Sequence, residues 1–186
     1  MHHLVLDLDE TLVHVVDQQI TNFDFHFKLD GIALYGRIRP HCKLLIEYAF
    51  KNYASVSVWT AGTATYAYKV AKYIFTSDQL SKMAFFLTRR NVVQVKGQPC
   101  FKPLERLMSD PKAKKVGMTL CNTIIVDDKE TTMRANPGNG IVIPAWRGDK
   151  RDTWLSKLII ILDGIKQNDM ACGHYRQAIN LKHLCS

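Results

Sequence analysis

Short, mostly apolar runs that each end in a polar or acidic residue constrain this chain more than any other feature. His3–Leu8 carries Asp7 and ends at Asp9, Val56–Trp59 delivers Thr60, and Thr123–Val126 delivers Asp127 and Asp128. Runs this short and this apolar suit strands covered on both faces, and parallel strands need crossover helices that supply the cover. The intervening segments carry helix signals. Pro40 opens a helix to about Tyr53, and Thr65–Phe75 carries Tyr66, Val70, Tyr73 and Ile74 at helical spacing. Pro103 starts another helix through Leu104 and Leu107, and Thr153–Ile165 has a broad apolar face. Phe85–Leu87 and Ile141–Ile143 read as further short strands. The expectation is an α/β fold of three layers, with a central parallel sheet and helices on both faces.

One stretch departs from this pattern. From Phe23 to Ile38 apolar residues alternate, with Phe23, Phe25, Phe27 and Leu29 before Asp30-Gly31 and Ile32 and Leu34 after it. Alternation about Asp-Gly is a hairpin signal, so an inserted β-hairpin over about 15–38 is expected after the first strand. Val92–Phe101, around Gly97, reads as a second, looser hairpin, and 110–121 as a basic connection. No repeat or linker divides the chain, so 1–186 reads as a single domain with a C-terminal tail over about 167–186. Cys172, His174, His183 and Cys185 in that tail could be drawn as a metal site, but a partly amphipathic terminal helix is the simpler reading.

The first strand begins almost at once, without a basic-then-apolar leader, so the expectation is that nothing precedes this fold. No apolar run approaches the roughly 18 residues that span a bilayer. The five cysteines (Cys42, Cys100, Cys121, Cys172, Cys185) are odd in number, widely spaced and without a Cys-x-x-Cys pair. That favours a reducing, intracellular compartment, nucleus or cytoplasm. The net charge of +8, with basic runs at Lys112–Lys115 and Arg147–Arg151, favours an anionic partner: a phosphoprotein, a nucleic acid or a membrane surface.

In parallel sheets ligands bind beyond the carboxyl ends of the strands, so the polar groups at the run ends would converge there. Two aspartates two positions apart, Asp7 and Asp9, allow one carboxylate to attack phosphorus while the other manages the leaving group's proton. Thr60 and Lys102 offer a hydroxyl and an ammonium to the phosphoryl oxygens, where negative charge is spread in the transition state. Asp127 and Asp128 add the oxygen ligands that magnesium prefers. Each group alone is ordinary; their order along the chain makes the pattern.

His3-Leu4-Val5-Leu6-Asp7-Leu8-Asp9-Glu10-Thr11-Leu12-Val13-His14 resembles the first motif of the haloacid dehalogenase-like phosphatases. Within them it is similar to the small C-terminal-domain phosphatase or NLI-interacting-factor-like group, which acts on the C-terminal domain of RNA polymerase II. The resemblance spans roughly 3–166 and continues through Arg39-Pro40, Trp59-Thr60-Ala61-Gly62, Phe101-Lys102, Ile125-Val126-Asp127-Asp128 and Asn136-Pro137-Gly138-Asn139-Gly140-Ile141. It implies a Rossmann-like haloacid dehalogenase fold and Mg2+ as cofactor. Asp7 would be the nucleophile and a metal ligand. Asp9 would be the general acid/base, with its carbonyl on the metal, while Thr60 and Lys102 hold the phosphoryl group. Asp128 matches a direct metal ligand that is often Asn in this branch, and Asp127 would support the site. Thr11, Ala61, Gly62 and Arg89 would lie along the substrate groove. Phe23, Phe25, Phe27 and Tyr35 of the hairpin would either form an apolar pocket beside it or simply pack the hairpin.

The implied function is a phosphoprotein Ser/Thr phosphatase working through an aspartyl-phosphate, on peptides like the polymerase tail. Two departures bear on substrate: Pro103 follows Lys102 where many relatives have Asp, and the 110–121 connection is longer and more basic. Other readings on the same core are a nucleic-acid 3′-phosphatase, a lipid phosphatase, or a non-catalytic binding module. A response-regulator receiver also gathers acids, Thr and Lys around magnesium, but in a different chain order.

Overall fold

A computed structural model describes residues 1–97 and 99–167. The tail, with Cys172, His174, His183 and Cys185, lies outside the described residues. Five strands form one parallel sheet: β1 (His3–Leu6), β5 (Ser55–Trp59), β6 (Phe86–Leu87), β7 (Thr123–Asp127) and β8 (Gly140–Val142). Their order is β6-β5-β1-β7-β8, which puts β1 in the middle. Leu4 lies opposite both Val56 and Ile124, and Leu6 opposite Val58 and Val126.

Because strand side chains alternate, β1 feeds two cores. Leu4 and Leu6 pack with apolar residues of α1 (Cys42–Asn52), α2 (Ala64–Ile74) and α7 (Trp154–Gln167). Val5 packs on the other face with Trp59, Ile125, and Leu104, Leu107 and Ala113 of α4 (Leu104–Met108) and α5 (Pro111–Lys115). This is the expected α/β arrangement of helices on both faces of a parallel sheet. No helix among the described residues is long and apolar enough to cross a membrane.

Capping accounts for several boundaries. Thr63 accepts from the Tyr66 N–H at the start of α2, and Asp110 accepts from the Lys112 N–H at 2.7 Å at the start of α5. Thr76 and Gln79 form a reciprocal capping box on α3 (Ser77–Lys82), a helix that the apolar spacing did not signal. The short α6 (Glu130–Ala135) was also unsignalled. In place of a second hairpin, Val92–Phe101 makes a loop closed by the Val93–Phe101 pair, with N–H···O distances of 2.9 and 3.0 Å. Val93 and Val95 alternate with Gln94 and Lys96 for only four residues before Gly97, too short a stretch to hold longer strands there.

The insertion is larger than a hairpin. β2 (Val13–Val16), β3 (Phe25–Leu29) and β4 (Ile32–Ile38) form an antiparallel sheet in the order β2-β4-β3. Asp30 and Gly31 both have positive φ (50° and 82°), the conformation a two-residue primed turn requires. β2 follows the acidic motif with no turn signal of its own, which is why only the β3–β4 pair was legible. The sheet is fastened to α2 by Phe25, whose ring lies over Gly36 and stacks on Tyr73 with centroids 4.5 Å apart. A Cβ at position 36 would come within 2.1 Å of the Phe25 ring.

Gly36→Ala is therefore expected to lower stability in urea unfolding by about 1–3 kcal/mol, the usual cost of overpacking. In a Phe25→Leu background the same substitution should cost much less. Simple additivity of the two changes would refute this packing account.

Candidate active site

Asp7 directly follows β1 and stays on its ladder, its N–H donating to the Val126 carbonyl at 3.0 Å. The chain then coils tightly. Glu10 adopts a left-handed φ of 57°, the Glu10 N–H donates to Val13 O, and the Leu12 and Val13 N–H groups both donate to Leu8 O. The coil brings Asp7 and Asp9 to one cavity of about 240 Å³, shared with Lys102, Asp127 and Asp128. Buried Arg39 holds the coil open-ended carbonyls: its Nη1 donates to Glu10 O and Thr11 O at 3.4 and 3.2 Å. The other two guanidinium nitrogens fork onto Asp152 at 2.8 and 2.9 Å.

Thr60 emerges from β5, its N–H on Leu87 O at 3.0 Å. Its hydroxyl donates to Asp9 Oδ2 at 3.2 Å and accepts from the Gly62 N–H at 3.0 Å. The Tyr66 hydroxyl, from the first turn of α2, donates to Asp9 Oδ1. Both carboxylate oxygens of Asp9 are thus engaged from the β5–α2 side.

Lys102 arrives buried on the far side of the cavity. Its Nζ donates to Asp7 Oδ1 at 2.5 Å and to Asp127 Oδ2 at 2.6 Å. Asn136, at the end of α6, holds this segment in place. Its amide donates to Lys102 O at 2.8 Å and its carbonyl accepts from the Leu104 N–H at 2.7 Å. Asp127 also accepts from the Lys129 N–H at 2.8 Å and the Thr132 hydroxyl at 3.0 Å. Asp128 Oδ2 accepts from Lys129 Nζ at 2.7 Å, while Asp128 Oδ1 is buried without a hydrogen-bond partner.

Burial pushes the Asp7 carboxyl well above its ordinary range, with Asp127 and Asp9 adding to the rise and Lys102 opposing it. Asp9 rises for the same first reason, against hydrogen bonds from Tyr66 and Thr60. Burial pulls on Lys102 in the opposite sense, but Asp7 and Asp127 outweigh it and its pKa is raised. Asp128 is raised by burial against the pull of Lys129. Carboxylate oxygens of Asp7, Asp127 and Asp128 lie within 4.8 Å of one another. An all-oxygen cluster with one orphaned buried oxygen fits a hard divalent cation, which would supply the positive charge this group lacks.

Beside the cavity runs a wider groove of about 450 Å³, lined by Asp9, Glu10, Leu29, Ala61, Gly62, Thr63, Tyr66 and Arg89. Arg89 is tied to this wall by donating from Nε to Ala61 O at 2.9 Å. Five residues considered for the groove do not line it. Thr11 is fully buried and lines neither cavity, contributing its carbonyl to Arg39. Phe25 is buried against Tyr73, because side-chain-free Gly36 lets its ring fold over the inserted sheet. Phe23 and Tyr35 sit edge to face at 5.3 Å, away from both cavity linings, and Phe27 leans on Tyr66 at 6.1 Å. The aromatic that does reach the groove is Tyr66. Its helical spacing gave it away only as a core residue; its place soon after Thr60 was the overlooked signal. The supporting roles of Arg39, Asn136, Lys129 and Thr132 were not visible from residue type.

A sequence model of the family described as NLI interacting factor-like phosphatase matches residues 2–171. The human "CTD small phosphatase-like protein" is 32% identical over 173 residues, covering 89% of this chain and 56% of that protein. The Xenopus tropicalis "CTD nuclear envelope phosphatase 1" is 30% identical over 175 residues, covering 88% of this chain and 66% of its own length. The chain spans little more than half the length of the first of these relatives. Among solved structures, Fcp1, titled an essential RNA polymerase II CTD phosphatase, superposes with a TM-score of 0.68 at 17% identity, covering 95% of this chain and 63% of that one. Fission yeast Fcp1 bound to beryllium fluoride gives a TM-score of 0.59, also at 17% identity, over 98% of this chain and 54% of that one. These two share the fold.

Asn136→Ala strips a buried partner from the Leu104 N–H and the Lys102 carbonyl, so a stability loss of about 1–3 kcal/mol is expected. The Leu104 amide should lose protection from hydrogen exchange in the same variant. An amide as protected as in the wild type would show that Asn136 does not hold the Lys102 segment.

Proposed function

The chain belongs to the NLI interacting factor-like phosphatase family, and we propose that it is a Mg2+-dependent phosphoprotein Ser/Thr phosphatase with Asp7 as its covalent nucleophile. The observation that carries this reading is the meeting of Asp7, Asp9 and Lys102 in one cavity with the Asp127–Asp128 pair, Asp128 Oδ1 being buried without a donor. A phosphate ester entering there meets Lys102 Nζ and the Thr60 hydroxyl, which bind its non-bridging oxygens. An Asp7 oxygen attacks phosphorus, the ester P–O bond breaks, and Asp9 gives its proton to the departing serine or threonine oxygen. Water then attacks the aspartyl-phosphate, loses its proton to Asp9, and releases inorganic phosphate with Asp7 restored. Burial raises the Asp9 pKa, the direction a proton donor at neutral pH requires. Thr60 and Tyr66 donate to the two Asp9 oxygens, and a protonated Asp9 keeps its own O–H to donate to the leaving group.

Asp7, Asp127, Asp128 and the Asp9 carbonyl would hold Mg2+. The bound cation would neutralise repulsion between the Asp7 carboxylate and the anionic ester. The groove lined by Leu29, Gly62, Tyr66 and Arg89 gives room for polymer beside the phosphate. Its mixed apolar and cationic wall supports a peptide, and the names of the relatives support one resembling the polymerase II C-terminal domain. Such a substrate places the protein inside the cell, in nucleus or cytoplasm.

Turnover of a simple aryl phosphate is expected to require magnesium and to fall by at least about a thousandfold in Asp7→Asn. Retained activity in that variant would remove the covalent mechanism. Magnesium at about a hundred times its dissociation constant should add about 2.7 kcal/mol of stability to the inactive Asp7-containing apo fold, measured by thermal shift. Asp128→Ala should lose most of that shift, and an unchanged shift would place the cation elsewhere. A panel of phosphopeptides covering the heptad serines, a 3′-phosphorylated oligonucleotide and phosphatidic acid decides the substrate class. Faster turnover of either non-peptide substrate than of every peptide would overturn the phosphoprotein assignment.

A further inference from the structure

The segment from Trp146 to Asp152 is anchored at both ends to the coil that carries Asp9. At one end the Trp146 N–H donates to Glu10 O at 2.8 Å, and the buried indole donates to Asp149 O at 2.8 Å. At the other, Asp152 accepts the fork of Arg39, whose Nη1 reaches Glu10 O and Thr11 O. The loop between these anchors cannot swing away as a body, so it stays beside Glu10, which lines both the catalytic cavity and the groove. Its cations Arg147, Lys150 and Arg151 are all exposed. Gly148, at a φ of 102°, lets the loop press onto Arg37 of β4, where a Cβ would lie 2.8 Å from Arg37 Nη1. Arg37 Nη2 donates to Thr21 O at 2.8 Å, and its Nε is buried without a partner.

The carboxylates near these cations are mostly engaged. Asp149 Oδ1 accepts the Arg151 N–H at 2.9 Å and lies 3.5 Å from Arg151 Nε, an ion pair with side chains 59% and 92% exposed that gives way readily to another anion, and Asp24 accepts from the Ile38 N–H at 2.7 Å. Glu10 lies 3.4 Å from His14, and Asp152 is spent on Arg39. A positive surface therefore adjoins a cavity lined by Asp7, Asp9, Asp127 and Asp128, which by themselves repel an anionic substrate. Nothing in the hydrolytic chemistry uses it. The other basic run, Lys112–Lys115, leads into the N-terminal end of β7, and Lys112 lies over the Phe85 ring at 5.2 Å.

We propose that Arg37, Arg147, Lys150 and Arg151 recognise a second anionic group, a further phosphate or acidic side chains, on the same peptide whose phosphoester is hydrolysed at Asp7. This rests on the phosphoprotein phosphatase reading. Arginine forks suit phosphate and carboxylate oxygens, and a positive rim on an acidic cavity raises the encounter rate of an anionic substrate.

The test compares the full chain with an Arg147→Ser, Lys150→Ser, Arg151→Ser variant, none of whose changed side chains belongs to the catalytic cavity. Substrates are an aryl phosphate and peptides of one sequence: singly phosphorylated, doubly phosphorylated with the second phosphoserine stepped along either side, or flanked by glutamates. Wild type should favour the doubly phosphorylated or acidic peptides by about tenfold in kcat/KM, and about 0.5 M salt should erase the preference. In the variant the preference should fall below about twofold with aryl phosphate turnover unchanged. The glutamate and phosphoserine arms separate the two kinds of anion. Should the triple variant fold poorly, Lys150→Glu reverses one charge at an exposed position and should lower the preference several-fold. A wild type that hydrolyses the singly phosphorylated peptide with no preference overturns the proposal and leaves the phosphatase reading standing. Hydrolysis of aryl phosphate but of no peptide removes that reading and the proposal with it. A preference kept in both variants also overturns it.

Discussion

A single ammonium, Lys102 Nζ, sits buried between the carboxylates at the ends of two adjacent parallel strands, and the architecture of the site follows from that contact. Asp7 and Asp127 extend neighbouring strands β1 and β7, so their side chains emerge together at one edge. Without a cation between them, two buried acids at this separation would repel each other in a medium that screens poorly. Lys102 resolves the conflict only because Asn136 fixes its backbone and Thr132 and the Lys129 N–H satisfy the rest of Asp127. Such a network is worth keeping only when every member is satisfied. Of the five buried side-chain atoms without a partner among the described residues, Asp128 Oδ1 is the one on a residue that lines the cavity, which suits a role besides stability.

The coil after β1 is governed in the same way by one buried arginine. Arg39 is 1% exposed, yet every one of its contacts serves the backbone beside Asp9 or the Asp152 that neutralises it. Its cost of burial is offset by a bidentate partner and two carbonyls. The carboxylates of the cavity thus rest on a polar frame whose parts, Arg39, Lys102, Asn136 and Asp152, come from far apart in sequence.

That distance explains what could be read from the chain and what could not. The parallel sheet was legible because its strands are buried on both faces and so are mostly apolar, with Ser57 the polar residue inside β5. For the same reason Asp7, Thr60 and Asp127-Asp128 stood out, each a polar group at the end of such a run, with Asp9 two residues beyond Asp7. Lys102 follows no such run; it was read as reaching the same edge by way of a second hairpin, and the structure brings it there from a loop closed by the Val93–Phe101 pair. Thr11 looked equally exposed to chemistry, but the coil turns it inward, and no local pattern reports a left-handed residue at Glu10. For Phe25 both groove and hairpin packing were open, because the choice depends on Gly36, across the hairpin, having no side chain. Tyr66 was read as packing because its ring does pack; only the hydroxyl, at the far end of an otherwise apolar side chain, belongs to the site.

Tyr66 is a wall of the groove and also a donor to Asp9. In the proposed reaction, a substrate lodged against that ring alters the surroundings of Asp9 in the same motion. Discrimination among substrates would then be written into how fast a bound molecule reacts, and two ligands held equally tightly need not be consumed equally fast. Affinity measured on its own would be a poor guide to preference.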